Sequence, residues 1–430
     1  MIPTIVISSI TFVLITLSIL LFPKIRLGKV SLSTYWIIAL VGALILLSFS
    51  LAPINEVWDQ LIANSSVNPL KIIILFFSMT ALSIFLDEVG LFKYLANLAT
   101  KRAKNNQFVL FTILYFLVAA LTIFTSNDIV ILTFTPFICF FCKNSKINPI
   151  PYLVAEFVAA NTWSMILIIG NPTNIYLATT ANINFFDYFK VMALPTLAAG
   201  IVEYVILIIL FNHKLRSPLS INHDDYVIED KVSLFIGIVA LLTCLIFLVI
   251  SSYINVEMWL ISLICAATLL VVIAIKCLIS KKNWNYLGGT FKKLPYPLIP
   301  FFLSMFVIVV ALNHHGVSSQ LAMLLGENNV IWTYGFTSFV ASNLINNIPM
   351  SIFYSSMCTT NSMTFASIVG SNIGAFLTPT GALAGIMFTS LVNKHETKYT
   401  FIDFVRYGSF ISLPVIAITL LILNLTISFI

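Results

Sequence analysis

Charge is scarce in this sequence. Asp, Glu, Lys and Arg make up 9% of 430 residues, against 60% hydrophobic residues, and the mean hydropathy is +1.03. An ordinary soluble domain carries about a quarter charged residues, so the composition excludes one and indicates a polytopic helical membrane protein. The formal charge of +6 then bears on orientation in a bilayer, and no nucleic-acid partner is expected. Cysteine is also sparse. Cys139, Cys142, Cys244, Cys265, Cys277 and Cys358 lie in or at the ends of apolar runs, which argues against a disulfide framework. Cys139 and Cys142 have the spacing of a thiol pair but no His or further Cys beside them. There is no His-Glu-x-x-His zinc helix and no nucleotide-binding motif. No metal, cofactor or enzymatic activity is expected.

Apolar runs are plentiful, and residues 107–142 organise the rest. Two runs, 108–124 and 129–142, flank Ser126-Asn127-Asp128. One continuous helix here would be about 54 Å long, far beyond a hydrocarbon core of about 30 Å. Basic residues on both sides (Lys101, Arg102, Lys104; Lys143, Lys146) belong to one face of the membrane. A re-entrant hairpin with a polar tip satisfies both facts. Irregular backbone and an acid at depth are tolerated where they line a cavity or site, which indicates transport.

Further spans fall at about 2–22, 34–53, 70–90, 151–182 and 190–213, then at 233–253, 258–277, 295–315, 364–392 and 407–430. Residues 329–358 form a second candidate hairpin. The fold class expected is an all-α polytopic membrane protein of about ten transmembrane helices plus two re-entrant hairpins. The first apolar segment has no basic residue before it and Lys24, Arg26 and Lys29 after it, so it reads as a retained span with the N-terminus outside. Of the 22 Lys and Arg, only Lys71 and Lys190 then fall outside. Treating either hairpin as a single crossing would spoil that separation. The layout gives residues 1–213 as one repeat, 214–232 as a cytoplasmic linker and 233–430 as a second repeat. Both termini are expected outside a plasma membrane.

The two halves match in sequence. Ser78-Met79 through Gly90 aligns without a gap with Ser304-Met305 through Gly316. Thr125-Ser126-Asn127 then pairs with Ala341-Ser342-Asn343, Asn171-Pro172-Thr173-Asn174 with Thr378-Pro379-Thr380-Gly381, and Asp187–Lys190 with Asp403–Arg406. A common order along opposed halves indicates inverted-topology repeats.

Four polar breaks interrupt the apolar segments: Ser126–Asp128, Gly170–Asn174, Ser342–Pro349 and Gly370–Gly381. Gly and Pro end helices, while Asn, Ser and Thr replace lost backbone bonds. Helices that begin just after a break aim positive ends at whatever binds there. The expected binding residues are Ser126, Asn127, Asn171, Thr173, Asn174, Ser342, Asn343, Asn346, Asn347, Asn372, Thr378 and Thr380. Asp128, the acid in these breaks, is the expected ion-coupling residue. Glu156 and Glu203 lie inside spans without a polar cluster nearby. Asp87-Glu88 and His314-His315 sit at span ends and read as interfacial.

The segments TSNDIVILTFTPFI, GNPTNIYLA, SNLINNIPMSI and GSNIGAFLTPTGALAGI resemble the ion-transporter superfamily. Within it they look most like the arsenite/antimonite efflux permeases and related sodium/proton antiporters, over about residues 70–430. The resemblance implies hairpin tips meeting near the midplane, elevator-like movement, coupling to H⁺ or Na⁺, and room for a homodimer or a soluble ATPase partner. Carboxylate carriers of the superfamily show Ser-Asn-Thr at both tips, whereas here the tips read Ser-Asn-Asp and Ser-Asn-Leu. No Arg lies in any break to clamp a carboxylate bidentately. Proton-coupled efflux of a small inorganic polyhydroxyl solute such as arsenite is therefore favoured over carboxylate uptake or sodium/proton exchange. An aquaporin-like channel would show two Asn-Pro-Ala half-helices in a shorter chain, and neither break fits.

Overall fold

The computed structural model describes residues 1–430 except 23, 28, 29, 64–67, 104, 105, 217–226, 252, 281–283, 396 and 430. Most of the 214–232 linker thus lies outside the described residues. The first half runs α1 (Ile2–Leu21), an antiparallel ribbon β1–β2 (Lys24–Leu27, Val30–Ser33), α2 (Thr34–Ser48), α3 (Ile54–Ile62), α4 (Pro69–Glu88), α5 (Leu91–Arg102), α6 (Gln107–Phe124), α7 (Asn127–Asn144), α8 (Ile150–Trp163), α9 (Pro172–Thr180) and α10 (Phe185–Phe211). The second half repeats the order: α11 (Lys231–Ile250), α12 (Met258–Ser280), α13 (Trp284–Lys293), α14 (Leu298–His314), α15 (Val317–Leu325), α16 (Val330–Ile345), α17 (Asn347–Ser355), α18 (Asn361–Gly374), α19 (Leu383–Lys394) and α20 (Phe401–Phe429). Apart from this short ribbon the described elements are all helical, and the all-α class expected from the sequence holds. Gly90 (φ +94°) and Gly316 (φ +69°) occupy matching places, each turning the chain into the helix that follows.

Among the described residues, eight helical stretches are long and apolar enough to cross a membrane. The chain is a multi-pass membrane protein. α6 is one of the eight, yet its chain turns back. Tyr152 and Trp163, at the two ends of α8, hydrogen-bond Gln107 and Tyr115 of α6, so α6 runs parallel to α8. Along α7, Asn127 meets Asn161 and Thr135 meets Glu156, so α7 runs antiparallel to α8. The reversal falls at Thr125–Ser126. In the second half Tyr334, near the start of α16, packs edge-on against Tyr354 at the end of α17, so this pair is a hairpin too.

The halves exchange partners reciprocally. α2 packs on α14 and α12 on α4; α7 packs on α19 and α17 on α9; α10 packs on α20. α8 and α18 are buried along nearly their whole length. That burial explains their near-continuous small and apolar residues. In lipid, helices associate by close van der Waals contact and hydrogen bonds. Gly370 and Gly374 bring α18 against α16: a Cβ on Gly370 would collide with Ser338 Oγ and the Gly335 carbonyl, and would sit 2.7 Å from Phe339 N. Gly370, Ser371 and Asn372 are therefore helical, and the chain breaks only after Gly374.

Candidate functional site

Each half contributes one hairpin tip and one unwound stretch. After α8 the chain leaves the helix at Ser164, makes a 3-10 turn at Ile168–Gly170 and restarts at α9, capped by Asn171 Oδ1 accepting from Thr173 N at 3.2 Å. After α18 it makes a 3-10 turn at Pro379–Gly381 before α19. These turns put Gly170 opposite Gly381 in the repeat, and Asn161 opposite Asn372. The sequence pairing of Asn171–Asn174 with Thr378–Gly381 is out of step with this register.

The first unwound stretch meets the last turn of α18 at Asn372. Its Oδ1 accepts from Asn171 Nδ2 at 2.8 Å and from Ser164 Oγ at 3.0 Å. Its Nδ2 donates to Asn174 Oδ1 at 2.7 Å, and Ser371 Oγ donates to Thr173 Oγ1 at 3.0 Å. Asn174 Nδ2 returns to the Ser164 carbonyl at 2.9 Å. Asn171, Thr173, Asn174 and Asn372 are thus brought together, fully buried, and spent on joining the halves.

The first tip is tied to this centre through α8. Asn127 Nδ2 donates to Asn161 Oδ1 at 3.0 Å, and the Asn161 carbonyl accepts from Ser164 Oγ at 2.7 Å. Ser126 Oγ is buried and has no partner. Asp128 is half-buried, and Tyr35 of α2 lies within electrostatic range of its carboxyl. Tyr35 packs edge-on against Phe301 of α14 with ring centroids 5.0 Å apart.

The second tip is built differently. Ser342 and Asn343 stand in the last turn of α16; the chain reverses later, at Asn346, which caps α17. Ser342 Oγ bonds back to the Phe339 carbonyl at 2.9 Å. Asn343 Nδ2 donates to the Gly374 carbonyl at 3.0 Å, and its Oδ1 accepts from Thr378 Oγ1 at 2.6 Å. Thr378 and Thr380 hydroxyls are 3.0 Å apart, and Asn346 Nδ2 donates to the Thr380 carbonyl at 2.9 Å. Asn347 Oδ1 is buried without a partner. The unpaired Ser126 Oγ and Asn347 Oδ1 therefore belong to the two hairpin tips.

Residues 25–363 match the family model described as citrate transporter, CitMHS. The chain belongs to the CitMHS family. It is also similar to an arsenical pump membrane protein of Escherichia coli, 25% identical over 415 residues that cover 91% of this chain and 93% of the relative. A 46 kDa membrane protein of Mycobacterium leprae is 25% identical, covering 89% and 91% of the two chains. The YdaH transporter of Alcanivorax borkumensis, solved by crystallography and described as having an unusual topology, shares the fold at a TM-score of 0.55. It is 14% identical, with 98% of each chain covered.

This CitMHS member uses two polar residues that sequence reasoning passed over, Asn161 and Ser164. A signal was present: Asn161-Thr162 is a polar pair inside an apolar run, with Asn161 in register with Asn372. Tyr35 carried no signal, because only the fold brings α2 to the first tip.

Proposed function

We propose that this transporter exports arsenite, antimonite or a similar small neutral polyhydroxyl solute in exchange for protons across the plasma membrane. The observation that carries the reading is the chemistry of the four breaks. They offer amide and hydroxyl groups, one carboxyl at Asp128 and no guanidinium, which suits a neutral solute with several O–H groups better than a polycarboxylate. The partly accessible members, Asn343, Thr378 and Asp128, together with Ser126 Oγ and Asn347 Oδ1, form the solute and coupling site. The buried group around Asn372 acts as the brace that holds the tips in place. The likeness to an arsenical pump membrane protein along nine-tenths of the chain supports the same direction. Residues 1–213 and 233–430 act as inverted repeats joined by a cytoplasmic linker, with both termini outside.

The family description favours one rival, a proton- or sodium-coupled citrate carrier. Proteoliposomes holding a pH gradient separate the two. Gradient dissipation on adding arsenite or antimonite, and none with citrate, succinate or sodium, is the expected result; the reverse overturns the metalloid reading. In the same vesicles Asp128→Asn keeps shape and hydrogen bonding but removes titration. It should retain solute-for-solute exchange and lose accumulation against a gradient. Uphill, pH-driven transport by this variant would remove Asp128 from the coupling role.

A further inference from the structure

Glu156 of α8 is a buried acid outside the four breaks. It is 2% exposed, and among the described residues no Lys, Arg or His pairs with it. Its polar partner is Thr135 of α7, fully buried, whose Oγ1 lies 3.0 Å from both Oε1 and Oε2. The contact fastens the second arm of the first hairpin to α8, as Asn127–Asn161 does nearer the tip. A hydroxyl has one proton to donate. Facing a carboxylate, it would satisfy one oxygen and leave the other bare, with a whole charge unpaired in an apolar seam, which is costly. Facing a carboxylic acid, both contacts are met: one acid oxygen accepts from the threonine and the other donates to it.

We propose that Glu156 is a positioning residue, which holds the first hairpin on α8 while it carries a proton and releases it on ionising. It acts through Thr135 on the arm that bears Asp128. Its effect on flux rests on the transport reading above, whereas the bound proton does not. The neighbouring helices supply no cation to take the proton's place. α7 presents Cys139, within electrostatic range of the carboxyl, while Asp128 and Lys143 stand about 10 and 12 Å along that helix from Thr135. On α6 and α10 the ionisable groups that meet α8 are Tyr115 and Glu203, bonded at Trp163 and Thr162, about 9–11 Å further along. α18 has no ionisable residue. α19 and α20 reach α8 through Phe388 and Phe404 on Phe157, and their Lys394, Asp403 and Arg406 make no ion pair with Glu156. Glu156 lies six residues into α8, about 9 Å of helix, so its proton can exchange with the face that carries Lys143 and Lys146 without passing the tip.

Two measurements test this, one of them without transport. Infrared spectra of the purified full-length protein are compared before and after the pH is raised. A carboxylic-acid carbonyl band should vanish on alkalinisation in the wild type, in Asp128→Asn and in Glu203→Gln, and be missing throughout from Glu156→Gln. Thr135→Val, which removes the hydroxyl bonded to the acid, should move that band to higher frequency. The second measurement is solute-for-solute exchange at equal pH on both sides of proteoliposomes, in an Asp128→Asn background that silences the coupling acid. Exchange should fall by about tenfold as the pH is raised, the equivalent of one bare buried acceptor. Glu156→Gln keeps a donor and an acceptor for Thr135, so it should abolish that fall and keep the neutral-pH rate. Glu156→Ala has neither and should be slow at every pH. No acid band lost with Glu156→Gln, or an exchange profile unchanged by that substitution, overturns the proposal. Size-exclusion profiles check folding, and if Glu156→Gln does not fold, the Thr135→Val band shift decides. If the parent exchanges no solute at all, the transport reading fails and the infrared result alone decides whether Glu156 holds the proton.

Discussion

At Asn346 the backbone carries φ +73° and ψ 152°, a region occupied essentially by glycine, where other residues hold strain of about 1–3 kcal/mol. The side chain offsets part of that strain, with Nδ2 bonding the Thr380 carbonyl and Oδ1 accepting from Ile348 N at 3.3 Å. Asn346→Gly should therefore fold with near-normal thermal stability, while Asn346→Ala keeps the strain, loses both bonds and should melt measurably lower. Both should transport poorly, because the second tip is no longer fastened to Thr380. Asn347 makes the opposite case. Its Oδ1 is buried and unpaired, and such an atom costs about 1–3 kcal/mol in the empty protein. Asn347→Ala should leave the melting temperature unchanged or raise it while abolishing flux. A fall in melting temperature with intact flux would make Asn347 a structural residue.

The α16–α18 seam shows how one residue type carries two meanings at the scale of an element. Gly370 reads in sequence as a helix breaker within a Gly–Asn–Thr–Pro stretch, yet it lies inside α18 and allows backbone contact with α16. A glycine that ends a helix and one that lets two helices touch look alike until the neighbouring helix is known. Gly370→Ala has no flexible side chain to displace around Gly335 O and Phe339 N. It should lower folded yield and melting temperature strongly, whereas Ala at the exposed-side Gly288, which has open space, should do neither. The first hairpin was legible because a polar tip divides an apolar stretch too long for one crossing, with the basic residues of both flanks on one face. The second, with no Lys or Arg between Lys293 and Lys394, was legible from the charge separation along the whole chain and from the repeat match. The first tip was expected at Ser126–Asp128, and the chain reverses at Thr125–Ser126, with Asn127 and Asp128 in the first turn of α7. The second was expected partly at Ser342-Asn343, since that tripeptide match outweighed the later Asn346-Asn347. Asn161 was missed because the repeat register slipped by four residues, just over one helical turn, pairing Asn171 with Thr378 instead of Ala382. Tyr35 could not be found at all, since nothing local to α2 announces a partner in α7.

Across the whole molecule, each half completes the other. Lys293 of α13 reaches across to Asp87 and Glu88 at the end of α4, at 2.8 and 2.6 Å, and His314 at the end of α14 lies 2.8 Å from Glu56 of α3. The acids read as merely interfacial thus strap a short amphipathic helix of one half to a long helix of the other. Topology is checked with single cysteines in a cysteine-free background. Position 60 should label from outside, and positions 223 and 285 only after the membrane is opened. External labelling at 223 would overturn the opposed orientation of the halves. The exchange of α2 onto α14 and of α12 onto α4 has a consequence for how the molecule can be assembled. Severed within 214–232, the chain should behave as an obligate two-component complex. Fragments co-expressed from separate messages should co-purify and restore flux, and either alone should be degraded. The linker peptide, on this view, sets stoichiometry and proximity during synthesis, while the specificity of assembly resides in the faces that the two fragments trade.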